Sequence, residues 1–269
     1  MSEDRQTPFP MVPLPPAGRV FRSQRRVRLG DVSMAGSLRI DACARYLQDV
    51  ARDDSADSGI ENPMGWVVRR TALHVVRPPE FQELVRLETW CSGVGSRWAE
   101  RRTTITGEHG GLVEALAVWV HIDPASGRPM RLGPGFDALY AESAQGRKAD
   151  ARLHHDPVVP DRAERRPWVW RATDFDVLAH VNNAAYGALV EEALAAHVPD
   201  GHSGRRAPIS VEMEYRDPAL PGSAATLAVA PDGTEGADGA FSLWLLADDR
   251  TCFTARVAPI SAADAGATR

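Results

Sequence analysis

The chain repeats itself once, and no other feature limits its possible folds so strongly. Arg28-Leu29-Gly30-Asp31 opens one copy, followed by a loop and a helix-like stretch from Leu38 to about Asp54. Arg171-Ala172-Thr173-Asp174 opens the other, followed by a loop and a similar stretch from Asn182 to about His197. Each copy then carries an alternating apolar run that closes on an arginine and a proline, Leu73 to Pro79 and Val211 to Pro218. A unit of about 100 residues used twice is a duplicated domain, since solenoid repeats are only ~20–50 residues long.

Around each helix the pattern is that of strands. In the first copy Gly65 to Arg70, Leu73 to Arg77, Val85 to Ser92, Ala99 to Thr106 and Leu112 to Ile122 are rich in Val, Ile, Thr and Trp and alternate in polarity. In the second the candidates are Trp168 to Arg171, Pro208 to Tyr215, Ala225 to Ala230, Ala240 to Ala247 and Thr251 to Ala258. Alternation of this kind marks half-buried antiparallel strands. One helix with about five such strands per copy predicts an α+β fold, the helix lying across the sheet. Two such sheets can join edge to edge and so cover their exposed edges.

The expected organisation is a poorly ordered, proline-rich segment over residues 1–20, a first domain over 21–123, and a linker over 124–167. A second domain spans 168–260, and a flexible tail spans 261–269. The linker carries a short helical candidate from Phe136 to Glu142. With 43% hydrophobic and 25% charged residues, the 269-residue chain can build a packed core. Its net charge of −5 speaks against nucleic acid as a partner. Cys43, Cys91 and Cys252 are far apart and show no C-x-x-C spacing, so buried thiols in a reducing compartment are expected. There is no apolar run of the ~18 residues a membrane span needs and no secretory pattern at the start, which predicts a cytoplasmic protein.

The loop of the second copy carries the chemistry. Asp174-Phe175-Asp176-Val177-Leu178-Ala179-His180-Val181-Asn182-Asn183 resembles the D-x-D-x-N-x-H-V-N-N signature of the plant and bacterial acyl-ACP thioesterases. Trp66-Val67-Val68-Arg69-Arg70, Leu87-Glu88-Thr89-Trp90 and Arg101-Arg102 resemble further segments of that family, so the likeness runs from about Phe21 to Pro259. The resemblance implies a tandem (double) hotdog fold, no metal, no dissociable cofactor, and fatty acyl-ACP as substrate, hydrolysed to free fatty acid and holo-ACP. Two departures stand out. Leu178 occupies the place of an asparagine, and Pro218-Ala219 that of a Glu-Cys pair, so a cysteine–histidine mechanism is not expected.

Thioester hydrolysis needs an attacking water, a proton acceptor, and donors for the developing oxyanion. Asp176 can orient the water, accept its proton or attack directly. His180 can serve as base for the water or acid for the leaving thiol. Backbone N–H groups at the start of the following helix, around His180 to Asn183, can polarise the carbonyl. Asn182 and Asn183 either cap the helix or join the catalysis. Glu192, on the same helix, either supports the site or merely sits near the helix end, and Glu191 is expected to face solvent. Asp174 is read as structural, because Asp31 keeps its place in the first copy.

The duplication is an internal control. Laying Arg28 on Arg171 sets Ser33 opposite Asp176 and Ser37 opposite His180, so one active centre per chain is expected, in the second copy. Leu38, Cys43, Tyr46, Leu47 and Val50 of the first helix are either the acyl pocket or plain core. The partner is expected to be acyl carrier protein bearing a fatty acyl chain, met by Arg22, Arg25, Arg26, Arg69 or Arg70, with the enzyme a monomer or homodimer. The competing functions are an acyl-CoA thioesterase using the same site, a non-catalytic acyl-thioester binder, and a dehydratase or hydratase. His154-His155, adjacent in the linker, lacks metal-ligand spacing.

Overall fold

The structure is a computed structural model and describes residues 11–59, 65–197, 208–232 and 239–260. The first half contributes strands β1 (Phe21–Arg26), β2 (Trp66–Arg77), β3 (Leu84–Val94), β4 (Trp98–Gly107) and β5 (Leu112–His121). The second contributes β6 (Glu164–Trp168), β7 (Ile209–Tyr215), β8 (Ala225–Pro231), β9 (Phe241–Ala247) and β10 (Arg250–Pro259). All belong to one ten-stranded sheet in the order β1-β3-β4-β5-β2-β7-β10-β9-β8-β6. Read outward from the centre, the two halves match: β2 with β7, β5 with β10, β4 with β9, β3 with β8, and β1 with β6. The halves join where β2 and β7 pair antiparallel, Leu73 opposite Val211 and Thr71 opposite Met213. Neither half keeps an open inner edge.

Helix α1 (Ile40–Asp57) crosses the first half. Cys43, Tyr46, Leu47 and Val50 recur at helical spacing, and all are buried against the sheet. In the second half a 3-10 turn (Asn183–Tyr186) runs directly into helix α3 (Gly187–His197). Side chains of both helices and both half-sheets form a single core, in which Tyr46, Leu73, Leu189, Val211 and Phe253 are essentially inaccessible.

Several local expectations are corrected. Gly65 to Arg70 and Leu73 to Arg77 are one continuous strand, β2. The polar strand β1 has no apolar run to betray it and forms by pairing with β3 at the sheet edge. The strand expected over Trp168 to Arg171 lies earlier, at Glu164–Trp168, all but its last residue inside the segment read as linker. That segment also holds helix α2 (Pro134–Ala144), which packs on the first half through Tyr140 and Ala144 against Cys91 and Ala99. Residues 149–157 then follow the sheet face away from α1, bonded to both halves: Trp98 Nε1 donates to Ala149 O at 2.9 Å and Trp244 Nε1 to Asp156 O at 2.8 Å. The N-terminal segment divides. Residues 1–10 and the tail 261–269 lie outside the described residues, but Arg19 is anchored on Asp54 at 2.7 Å.

Candidate active site

Backbone hydrogen bonds close the loop from Phe175 to Val181. Phe175 and Val181 form an isolated bridge, the Asp176 amide donates to His180 O at 3.1 Å, and the Ala179 amide donates to Asp176 O at 3.0 Å. Ala179 sits in the left-handed region at φ 59°. The tight turn brings Asp176 and His180 side by side, Oδ1 to Nδ1 at 3.7 Å. The first half builds the same turn. Val32 bridges Leu38, the Ser33 amide donates to Ser37 O at 2.9 Å, and Gly36 takes φ 78° where Ala179 stands. Beneath each turn an aspartate accepts the amide three residues back, Arg28 to Asp31 at 3.0 Å and Arg171 to Asp174 at 2.8 Å. Asp174 therefore makes the same backbone bond as Asp31. The backbone is duplicated and only the side chains at its mouth differ.

Both oxygens of Asp176 are held. Oδ1 accepts the Leu178 amide at 2.9 Å and Oδ2 accepts Asn182 Nδ2 at 3.1 Å. Asn182 also caps the 3-10 turn, Oδ1 accepting the Ala184 amide at 2.9 Å. It thus answers both readings: a cap by one end and a brace on Asp176 by the other. His180 Nδ1 lies 3.2 Å from Val181 O. The amides of Val181 and Asn182 donate to Ala219 O and Asp174 O, so only part of the expected row of helix-start donors faces outward.

These groups open on a cavity of about 400 Å³ between the two halves. Asp176, Leu178, His180, Asn182 and Asn183 form one wall. The first half supplies the rest: Gln48, Ala51, Arg52 and Ser55 from α1, Val67, Cys91, Arg101 and Trp119 from the sheet, and Phe136 and Tyr140 from α2. Of the two readings open for the first helix, the structure bears out the core. Leu38, Cys43, Tyr46, Leu47 and Val50 belong to the buried core, one helical stripe away. In sequence the cavity stripe is hidden, because Gln48, Arg52 and Ser55 have the polarity of a solvated face.

Glu192 is not brought to the site. It is exposed and meets Arg166 at 3.7 Å. Glu191, expected to face solvent, instead accepts the Ile40 amide at 2.5 Å. Arg70 is buried and bonded to Asp150 O at 3.0 Å, so it offers nothing to a carrier protein. Cys91 lies in the cavity wall, but burial pushes its thiol up to about 11, the opposite of an activated nucleophile. Ala219 borders the loop through its backbone only, accepting the Val181 amide at 2.9 Å.

A helix laid on each half of one continuous antiparallel sheet, with a polar loop of one half facing the helix of the other, defines a fused double hotdog. Residues 18–140 match the acyl-ACP thioesterase N-terminal domain and residues 160–243 the acyl-ACP thioesterase C-terminal domain. The chain belongs to the acyl-ACP thioesterase family and is a thioester hydrolase. An uncharacterised protein of Mycobacterium tuberculosis is 28% identical over 84% of this chain and 89% of its own length. An acyl-[acyl-carrier-protein] hydrolase of Cuphea viscosissima is 24% identical, over 72% of this chain and 52% of its own length. Among solved structures, a putative oleoyl thioesterase from Lactobacillus plantarum superposes with a TM-score of 0.71 at 21% identity, over 91% of this chain and 98% of that one. The 12:0-ACP thioesterase of Umbellularia californica gives 0.70, also at 21% identity, over 90% and 97%.

Proposed function

We propose that this chain hydrolyses fatty acyl-ACP to free fatty acid and holo-ACP, with Asp176 and His180 as the reacting pair. The observation that carries the reading is the opening of this pair onto a cavity walled by the other half of the chain. Asp176, fixed by donors on both oxygens, orients a water against the thioester carbonyl. As the water oxygen bonds to carbon, its proton passes to the Asp176–His180 pair. The carbonyl oxygen becomes an oxyanion, met by the amide of Asn183 at the helix start. The C–S bond then breaks and the thiolate takes the proton. Ser33 and Ser37 cannot perform these steps, so the first half serves as substrate wall.

No described helix is long and apolar enough to cross a membrane. The reading places the enzyme in the cytoplasm, ending fatty acid synthesis. Thiol release from a panel of acyl-ACPs and acyl-CoAs tests it, with wild type beside Asp176→Ala and His180→Ala. Turnover favouring the ACP series and collapsing in both folded variants is expected. A preference for CoA would reassign the substrate. Tight binding without turnover on either series would overturn the reaction.

A further inference from the structure

The two halves differ where each helix meets the other half's loop. On the α3 side the contact is closed. A Cβ on Gly187 would come within 2.7 Å of Asp41 Cα, and one turn on, Glu191 Oε1 accepts the Ile40 amide at the start of α1. In the register that lays Arg28 on Arg171, the α1 side puts Ala44 for Gly187, Gln48 for Glu191, and Asn183 for Ile40. There the contact is open. Ala44, Gln48 and Asn183 line a second cavity of about 30 Å³. Gln48, Asn183 and Trp119 line both this cavity and the large one that holds Asp176 and His180.

The exchange of Glu for Gln changes what this corner can bind. A carboxylate at position 48 could only accept, and would take the Asn183 amide as Glu191 takes that of Ile40. A carboxamide also donates, through Nε2. The indole N–H of Trp119 is buried in the same wall with no hydrogen-bond partner among the described residues. A buried donor left unmatched is costly, by ~1–3 kcal/mol, so a cavity lined together by Trp119, Gln48 and Asn183 calls for an acceptor.

We propose that Gln48 is a catalytic residue of this thioesterase, its Nε2 donating to the thioester carbonyl oxygen as that oxygen becomes an oxyanion, beside the Asn183 amide. The inference rests on the proposed function and adds to its site a residue from the half in which Ser33 and Ser37 stand in the places of Asp176 and His180. An oxyanion donor acts on kcat more than on KM, and losing one costs about a hundredfold to a thousandfold in rate.

The test compares kcat, KM and thermal midpoint for wild type, Gln48→Glu, Gln48→Ala, Asp176→Ala and Glu191→Gln on one acyl-ACP. Both Gln48 variants are expected to keep the wild-type midpoint and a KM within about threefold, while kcat falls by about a hundredfold or more. Glu191→Gln is expected to keep wild-type kcat. If Asp176→Ala abolishes turnover but both Gln48 variants stay within about twofold of wild type, the role of Gln48 is overturned and the site stands. If Asp176→Ala itself keeps turnover, the proposed site falls, and Gln48 with it. A kcat loss in Glu191→Gln equal to that of Gln48→Glu would show a general packing effect and likewise overturn the role.

Discussion

Asn182 braces Asp176: its Nδ2 donates to Asp176 Oδ2 at 3.1 Å, while its Oδ1 caps the following turn through the Ala184 amide at 2.9 Å. The two ends can be separated by substitution. Asp is as good a cap as Asn but sets a carboxylate against Asp176. A hydrogen bond to a charged group contributes about 1.5–3 kcal/mol. Spent wholly in the transition state, that is roughly tenfold to a hundredfold in rate. Asn182→Asp is therefore expected to lower kcat by about that factor with the cap retained. Asn182→Ala should lower kcat similarly and lose about 1 kcal/mol of stability as well. Steady-state kinetics beside urea unfolding distinguish the two.

The paired turns make a second comparison. Gly36 at φ 78° and Ala179 at φ 59° hold the same left-handed position, and a Cβ on Gly36 would touch nothing within 4 Å. Any cost of Gly36→Ala is then a backbone cost, about 1 kcal/mol. Ala179→Gly should run the other way, gaining less than that because glycine also raises the entropy of the unfolded chain. Denaturant midpoints of the two variants, moving in opposite directions, would bear this out. Equal midpoints would show that the surrounding hydrogen bonds relax the strain.

What the sequence disclosed follows from the range of the interactions involved. The turn at Asp176 and His180 is made by bonds within a few residues, so its motif could be recognised and its copy at Ser33 and Ser37 aligned. That two sheets join edge to edge was foreseeable as a way to cover an edge, but not that β2 and β7 make the seam. The roles of Glu191 and Gln48 depend on which residue faces each helix across the molecule, and polarity alone reads both as solvent-facing. Only the repeat register links them, because Gln48 occupies the place of Glu191. Glu192 has the same limit: its place on that helix does not tell which side faces the cavity, and the structure sets it outward against Arg166.

The three thiols give a chemical test. Cys43, Cys91 and Cys252 are all buried in the described structure, and burial pushes them up to about 12, 11 and 12. Native protein at pH 8 is expected to react negligibly with a thiol-specific disulfide reagent and to release three equivalents once unfolded. Cys91 should be the first to react as the pH is raised towards 11, because it alone lines the large cavity. Rapid labelling of Cys91 at neutral pH would mean an activated thiol near the site.

A buried ion pair on the other face of the sheet separates stability from activity. Arg102 Nη2 meets Glu114 Oε2 at 2.6 Å, with Arg102 about 1% exposed, and Thr104 Oγ1 donates to the same carboxylate oxygen at 2.9 Å. Removing one partner strands the other charge and costs about 3–5 kcal/mol, whereas replacing both by apolar side chains is often close to neutral. The two single variants should differ in pH dependence. Burial raises the Glu114 carboxyl above the ordinary range even beside Arg102, which opposes the rise. In Arg102→Met that opposition is gone, so the folded protein binds a proton more tightly than the unfolded chain. Its stability should then be lowest at neutral pH and recover as the pH falls towards the ordinary carboxyl range. Glu114→Leu leaves a guanidinium that cannot discharge, and its deficit should not recover on acidification. Unfolding free energies at pH 7 and pH 5 for wild type, both single variants and the double variant decide the matter. Turnover should stay at the wild-type level in every folded variant, since neither residue lines the cavity that holds Asp176 and His180.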